Sequence, residues 1–374
     1  MTDLILDISD RPARLTARGG LLVIDFGKPW ASSHHGEAPA GTGGPSEGSH
    51  VARDPESGLR ARHTQSHTIP FADIAVLVTS HPQISFTQAV LANLAAAGGM
   101  LIVSNEKHLP AAMLLPLSTH STQTERFAQQ AAVSLPTRKR AWQQIVQAKL
   151  RAQARLLEET NGSDSGLGLM AGKVRSGDPD NLEAQAARIY WQALFGEGQS
   201  ASPGGPFRRD PEGEGINLYL NYGYAVLRAT VARALCASGL HPSLGVHHHN
   251  RYDTFCLADD LMEPFRPLVD RVVAKLPRGG LTAASPPPAV IPAEAGIHAP
   301  ATQLDKDAKK AILEGLLVRY SAEGESRTLF DWVSRSASSL VAVIEGRGEQ
   351  LGLPLLAPSE TVSPQGSSPC DSGS

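Results

Sequence analysis

Apolar positions change their spacing along the chain. Near the N-terminus, LILDIS and GGLLVIDFG are short runs of Leu, Val and Ile broken by Gly19 and Gly20, which predicts strands joined by a turn. Residues 28–67 are rich in Gly, Pro, Ser and His, with too few apolar groups to offset the entropy of ordering, and predict a disordered insertion. Beyond them IAVLVT reads as a strand, SFTQAVLANLAAAG as a helix opening on a Ser/Thr cap and closing at Gly98, and MLIVSN as a second strand. A β-α-β passage of this kind predicts parallel neighbours in a small mixed sheet.

From about residue 122 the period becomes helical. TRKRAWQQIVQAKLRAQARLLEET places Trp142, Ile145, Val146, Leu150, Leu156 and Leu157 close to helical spacing. DNLEAQAARIYWQALFG and INLYLNYGYAVLRATVARALCASG predict two more helices. The block from Leu304 to Gly346 has helical apolar periodicity and is expected to pack back on them. Between these, residues 276–304 form a Pro/Ala-rich segment read as a second insertion, and 357–374 as a disordered tail. The predicted class is α+β: a small β-rich N-terminal domain over 1–120, then a larger all-α domain over 121–356.

Composition adds bounds. The 374 residues suffice for two ordinary domains, and 41% hydrophobic content fits a soluble globular protein. The three cysteines are odd in number and far apart, which predicts no disulfide framework and a reducing compartment. The N-terminus lacks the layout of a signal peptide, and no apolar run of roughly 18 residues is present. A soluble cytoplasmic protein is expected. The formal net charge of -3 does not point to nucleic acid, so any basic surface must be local. One candidate is the first long helix, whose polar positions carry Arg138, Lys139, Arg140, Lys149, Arg151 and Arg155 with no acid before Glu158. That pattern serves either a solvated face or a phosphate-facing one.

Candidate chemistry lies in GVHHHNRYDTFCLADDLMEPFRP, residues 245–267. Asp260 and Glu263 share a helix face, whereas Asp259 points elsewhere. Pro264 forces either a helix start near Leu261 or a kink. His247, His248 and His249 cannot all address one ion, and spacing alone does not choose among them. The alternative is a run of surface histidines before an acidic helix start. Upstream, Glu183 falls on a face with Ala186, Ala187, Tyr190 and Trp191, where a carboxylate must be paired, metal-bound or at a cleft. The competing reading is a helix-start Glu beside Asp178 and Asp180. A Glu, a His and a second carboxylate from separate segments would suit Mg²⁺ or Mn²⁺.

These passages, in this order and spacing, resemble the family of CRISPR-associated adaptation endonucleases, the integrases of spacer acquisition, in the form found in type II systems. The resemblance spans roughly residues 1–27, 67–275 and 305–356. It implies a β-rich domain that mediates homodimerisation and a helical catalytic domain holding a divalent metal. Carried over by position, the ligands would be Glu183, His248 and Glu263, with Asp260 auxiliary. The implied reaction is attack of a DNA 3′-hydroxyl on a phosphodiester of the CRISPR array, or hydrolysis when water attacks. The implied partners are double-stranded protospacer and repeat DNA and a small Cas partner numbered two. That partner's dimer would bridge two dimers of this protein in a heterohexamer. Arg208 and Arg209 join the helix cations as candidate phosphate contacts. Two rival classes are a metal-dependent phosphohydrolase of small nucleotides and a non-catalytic DNA-binding scaffold.

Overall fold

The computed structural model describes residues 4–27, 65–105, 110–116, 120–196, 207–211, 213–276, 304 and 306–359. Most of both predicted insertions and all but the first three residues of the predicted tail therefore lie outside the described residues.

Two four-stranded sheets form the N-terminal part. In the first, β1 (Leu4–Ile8), β5 (Ile74–Thr79) and β7 (Met100–Ser104) run parallel, and β8 (Pro110–Leu114) closes the edge antiparallel. Every residue of β5 is buried, as its uninterrupted apolar run IAVLVT requires of a strand covered on both faces. The predicted β-α-β passage is present: α1 (Gln88–Ala96) connects towards β7, with Thr87 at its N-cap position and Gly98 past its end at φ 73°. The Thr87 side chain makes no capping hydrogen bond.

The second sheet corrects the predicted turn. β3 (Leu21–Phe26) pairs antiparallel with β2 (Ala13–Arg18), ARLTAR, and not with LILDIS, which is β1 of the other sheet. Gly19 and Gly20, at φ 56° and 78°, make the two-residue turn between β2 and β3. ARLTAR escapes prediction because its alternating polar residues hide a strand with one buried face. β4 (Gln65–Pro70) and β6 (Ile84–Phe86) complete the order β4-β3-β2-β6. The predicted insertion thus ends before Gln65.

Helices follow: α2 (Gln123–Ala131), α3 (Leu135–Asn161), α4 (Leu167–Lys173), α5 (Leu182–Phe195), α6 (Ile216–Ala237), α7 (Cys256–Met262), α8 (Arg266–Lys275), α9 (Lys306–Leu317) and α10 (Leu329–Ile344). The Ser134 hydroxyl accepts the Thr137 N–H at the start of α3, and Gly162 ends it in the left-handed conformation. α6 is buried almost all round and packs against α7, α8, α9 and α10 on one side and β5, β7 and β8 on another. Consequently Ile5, Val76, Val78, Met100 and Ile102 share one apolar core with the helices, whereas Leu15, Leu22, Ile24, Leu77 and Leu94 form a second core between the sheets and α1.

The last block is not all helix. Between α9 and α10 the chain forms β9 (Arg319–Ala322) and β10 (Glu325–Thr328), turning at Glu323 and Gly324, which have φ 53° and 78°. β11 (Ala357–Pro358), placed by the sequence in the tail, pairs with β9. No helix among the described residues is long and apolar enough to cross a membrane.

Candidate active site

Glu183 opens α5. Its own N–H and that of Leu182 donate to the Asp178 carboxylate, 2.9 Å each, while Asp180 pairs with Arg175 at 2.7 Å. The end of α5 is therefore capped by Asp178, and the Glu183 carboxylate remains to reach across to α3. There Lys149 Nζ donates to Glu183 Oε1 at 2.6 Å.

The backbone at Pro264 resolves as a kink. α7 ends at Met262, Glu263–Phe265 form a 3₁₀ turn, and the chain resumes as α8. The turn aims Glu263, only 4% exposed, back at α3. Its Oε2 lies 2.6 Å from Lys149 Nζ, and Oε1 lies 3.1 Å from Arg266. That 2.6 Å approach is a charge-assisted contact in which the ammonium faces the carboxylate directly. Lys149, 8% exposed, thus binds the two glutamates together.

The histidine loop hangs on Asp260. This fully buried carboxylate accepts the N–H groups of Val246 (2.7 Å), His247 (2.9 Å) and His248 (3.2 Å), and it meets His248 Nδ1 at 2.6 Å. Nδ1 is thereby committed, and the Nε2 of the neutral ring is left with its lone pair available to a ligand. Gly245 makes the turn possible, because a Cβ there would sit 2.2 Å from the His248 carbonyl oxygen. Arg138 secures the loop from α3, donating to the carbonyls of Val246 and Gly245 at 3.1 Å each. His247 stacks on Trp142, centroids 4.1 Å apart and 3° from parallel, and His248 meets the same indole edge-on. His249 turns away, its Nδ1 2.6 Å from the His247 carbonyl.

The electrostatics follow from these contacts. The hydrogen bond to Asp260 raises the His248 pKa against the effect of burial, with Glu263 and Glu183 adding to it. Burial lowers that of His247. Burial opposes the charge on Lys149, but Glu263 and Glu183 outweigh it and raise its pKa. Burial works against ionised Glu263, and Arg266 and Lys149 prevail, holding its carboxyl below the ordinary value. Asp259 faces away and pairs with Arg228 at 2.6 Å, its pKa pushed up to about 6 by burial.

As they stand, no three His, Cys, Asp or Glu residues among the described ones are close-set enough to enclose an ion. The donor set nevertheless fits a hard divalent cation. Two carboxylates already converge on one positive charge, beside an imidazole whose far nitrogen is fixed by a buried carboxylate.

A family model described as "CRISPR associated protein Cas1" matches residues 46–285. The chain belongs to the Cas1 family. It is 35% identical over 304 residues to the CRISPR-associated endonuclease Cas1 of Neisseria meningitidis serogroup C, covering 80% of this chain and 91% of that protein. In fold it is similar to a casposase bound to integration product, with TM-score 0.67, 17% identity, and coverage of 94% of this chain and 93% of that one. It also resembles a chain of a Cas6-RT-Cas1–Cas2 complex, with TM-score 0.61, 15% identity, and coverage of 93% of this chain and 35% of that one.

In this chain the predicted phosphate contacts divide by exposure. Lys139, Arg140, Arg151 and Arg208 are exposed. Arg155 pairs with Glu159 one turn on, and Arg138 is engaged by the histidine loop. Lys149 is removed from that surface altogether, because it is buried between the glutamates. Arg209 is partly buried and donates to Asn221 at 2.5 Å and Asn217 at 3.1 Å. Sequence reasoning also passes over Asp270, which is buried on α8 and accepts hydroxyls of Tyr190 (2.6 Å) and Tyr224. Its signal is the adjacent Asp270 and Arg271 set within the apolar residues of PLVDRVV.

Proposed function

We propose that this Cas1-family chain is a divalent-metal-dependent DNA endonuclease and integrase that inserts spacer DNA into a CRISPR array. The observation that carries the reading is the convergence of Glu183 and Glu263 on one cation position, each 2.6 Å from Lys149 Nζ, beside the Asp260-oriented His248. Glu183, His248 and Glu263 would hold Mg²⁺ or Mn²⁺. When bound, the metal supplies charge stabilisation to a phosphodiester under attack by a DNA 3′-hydroxyl or water.

The chain's own residues do the rest. Glu183 and Glu263 bring two negative charges, so a divalent ion is neutralised before phosphate arrives. Asp260 keeps the proton of His248 on Nδ1 and turns Nε2 outward. Arg138 and Asp260 together fix the loop from both sides. Lys139, Arg140, Arg151 and Arg208 are placed to meet phosphates and position DNA without reading its sequence. Double-stranded protospacer and repeat DNA are the substrates. Two homodimers, bridged by a dimer of the small partner Cas2, would supply the paired attacks of spacer insertion. The resemblance to a chain of a complex containing Cas1 and Cas2 supports that partner.

The test is cleavage and half-site integration of branched DNA with Mn²⁺, comparing wild type with Glu183→Ala and His248→Ala. Both variants are expected to lose activity by about a hundredfold or more, and His249→Ala is expected to lose far less. Full activity in both would overturn the assignment.

A further inference from the structure

We propose that Lys149 is a built-in counter-ion. Its ammonium occupies the position between Glu183 and Glu263 in the unloaded protein and exchanges with the divalent cation when the site fills. This rests on the reading of Glu183 and Glu263 as metal ligands.

Three observations carry it. First, the ammonium is 2.6 Å from one oxygen of each glutamate, so an ion held by both of those oxygens would share its space. Second, Lys149 lies on the apolar side of α3, with Ile145 and Trp142 at the preceding positions of its stripe, both essentially inaccessible. An aliphatic residue would fill that position at no desolvation cost, so the charge answers the two carboxylates rather than the packing. Third, the only other cation paired with either glutamate among the described residues is Arg266, which contacts Glu263 alone through Oε1. Removal of Lys149 would leave Glu183 without an ion-pair partner and Glu263 Oε2 facing it. A lysine also suits exchange, because its flexible four-carbon stem can withdraw the charge by changing rotamer while α3 stays in place.

A simple structural salt bridge makes the opposite forecast. If Lys149 only held the glutamates in place, its loss would disorder them and weaken metal binding. If it competes for their oxygens, its loss tightens binding. Titration calorimetry with Mn²⁺ alone, on the full chain, separates the two, using Lys149→Met and, should that variant fold poorly, Lys149→Gln. Mn²⁺ affinity is expected to rise about tenfold or more in both, because a competing unit charge is removed from the ligand oxygens. Melting temperature in chelator should fall below wild type, and the rise on adding Mn²⁺ should exceed that of wild type. Lys149→Arg, which keeps the charge, should stay near wild type in affinity. Unchanged or weaker Mn²⁺ binding in Lys149→Met and Lys149→Gln, with wild-type binding abolished by Glu183→Gln, would overturn the counter-ion while leaving the ligands standing. Wild-type binding that Glu183→Gln and Glu263→Gln do not affect would overturn both.

Discussion

Asp260 holds His248 twice, through the ring Nδ1 at 2.6 Å and through the His248 backbone N–H at 3.2 Å. The same carboxylate also takes the N–H groups of Val246 and His247. One buried side chain therefore fixes both the path of the loop and the face its imidazole presents. Asp260→Asn keeps the shape but replaces one acceptor oxygen with a donor, so it cannot keep all four contacts. The expected outcome is a loss of about 10–100-fold in metal affinity or integration, the cost usual for an outer partner of a ligating histidine. The His248 pKa should fall in the same variant, because the Asp260 hydrogen bond is the largest cause of its elevation. Imidazole resonances followed by NMR through the titration check this. An unmoved His248 with intact affinity would contradict the role.

Arg138 and the exposed cations of α3 differ in what their replacement should do. Arg138 spends its guanidinium on the carbonyls of Gly245 and Val246, so Arg138→Ala should lower integration and cost about 1–3 kcal/mol of stability. It should leave the salt dependence of DNA binding nearly unchanged. Lys139, Arg140 and Arg151 face solvent, and their combined replacement by alanine should reduce the slope of log affinity against log salt by about one for each phosphate no longer neutralised. Binding of a fluorescent duplex across a salt series separates the two sets. Equal slopes in all variants would remove α3 from the DNA-contacting surface.

Asp270 makes stability depend on pH in a defined direction. Burial pushes its carboxyl up to about 6, against the Tyr190 and Tyr224 hydroxyls and Arg266, which favour ionisation. A carboxyl raised in the fold above its unfolded value contributes stability that is complete below the unfolded pKa near 3.8 and is lost as pH rises through about 6. The full difference corresponds to about 3 kcal/mol. Denaturant unfolding of Asp270→Asn at pH 4 and at pH 7 should accordingly show a smaller fall with pH than wild type. Asp259, also near 6, supplies a second contribution of the same sign and keeps the variant from becoming flat. An identical fall in both proteins would refute the elevated value for Asp270.

Particular residues show how far the chain can be read unaided. Glu183 stands out because a carboxylate on an apolar stripe needs a partner, whereas Glu263 enters through the face it shares with Asp260 and through the family resemblance, and the fold brings both to the same lysine. The same rule applied to Lys149 would place it inside, since it follows Ile145 by four positions and Trp142 by seven on the buried stripe of α3. In the sequence it groups with neighbouring cations instead, because a charge run draws the eye to the polar side. The three adjacent histidines cannot be ranked by spacing, since their order depends on Asp260, Trp142 and Arg138, which arrive from α7 and α3. The pairing of ARLTAR with LLVIDF and the hairpin at Glu323–Gly324 escape prediction for a common reason. Each involves a short strand with few apolar residues beside a two-residue turn with positive φ, which leaves little period to read.

Gly223 offers a last test, because it couples the central helix to the element that carries the kink. A Cβ at this position of α6 would lie 2.4 Å from Val269 Cγ1 on α8 and 3.2 Å from Ile312 Cγ2 on α9. Valine is stiff about χ1, so the clash cannot be relieved by a simple swing, and α8 must shift. Since α8 begins directly after the 3₁₀ turn at Glu263, that shift would reach a proposed ligand. Gly223→Ala is therefore expected to destabilise the protein by about 1–3 kcal/mol, the usual range for overpacking, and to weaken Mn²⁺ binding as well. Adding Val269→Ala should recover part of both losses, with a coupling energy of about 0.5–3 kcal/mol between the two sites. Thermal melts and Mn²⁺ titrations of the two single variants and the double variant measure this. Additive effects would show that the loss at Gly223 does not act through Val269.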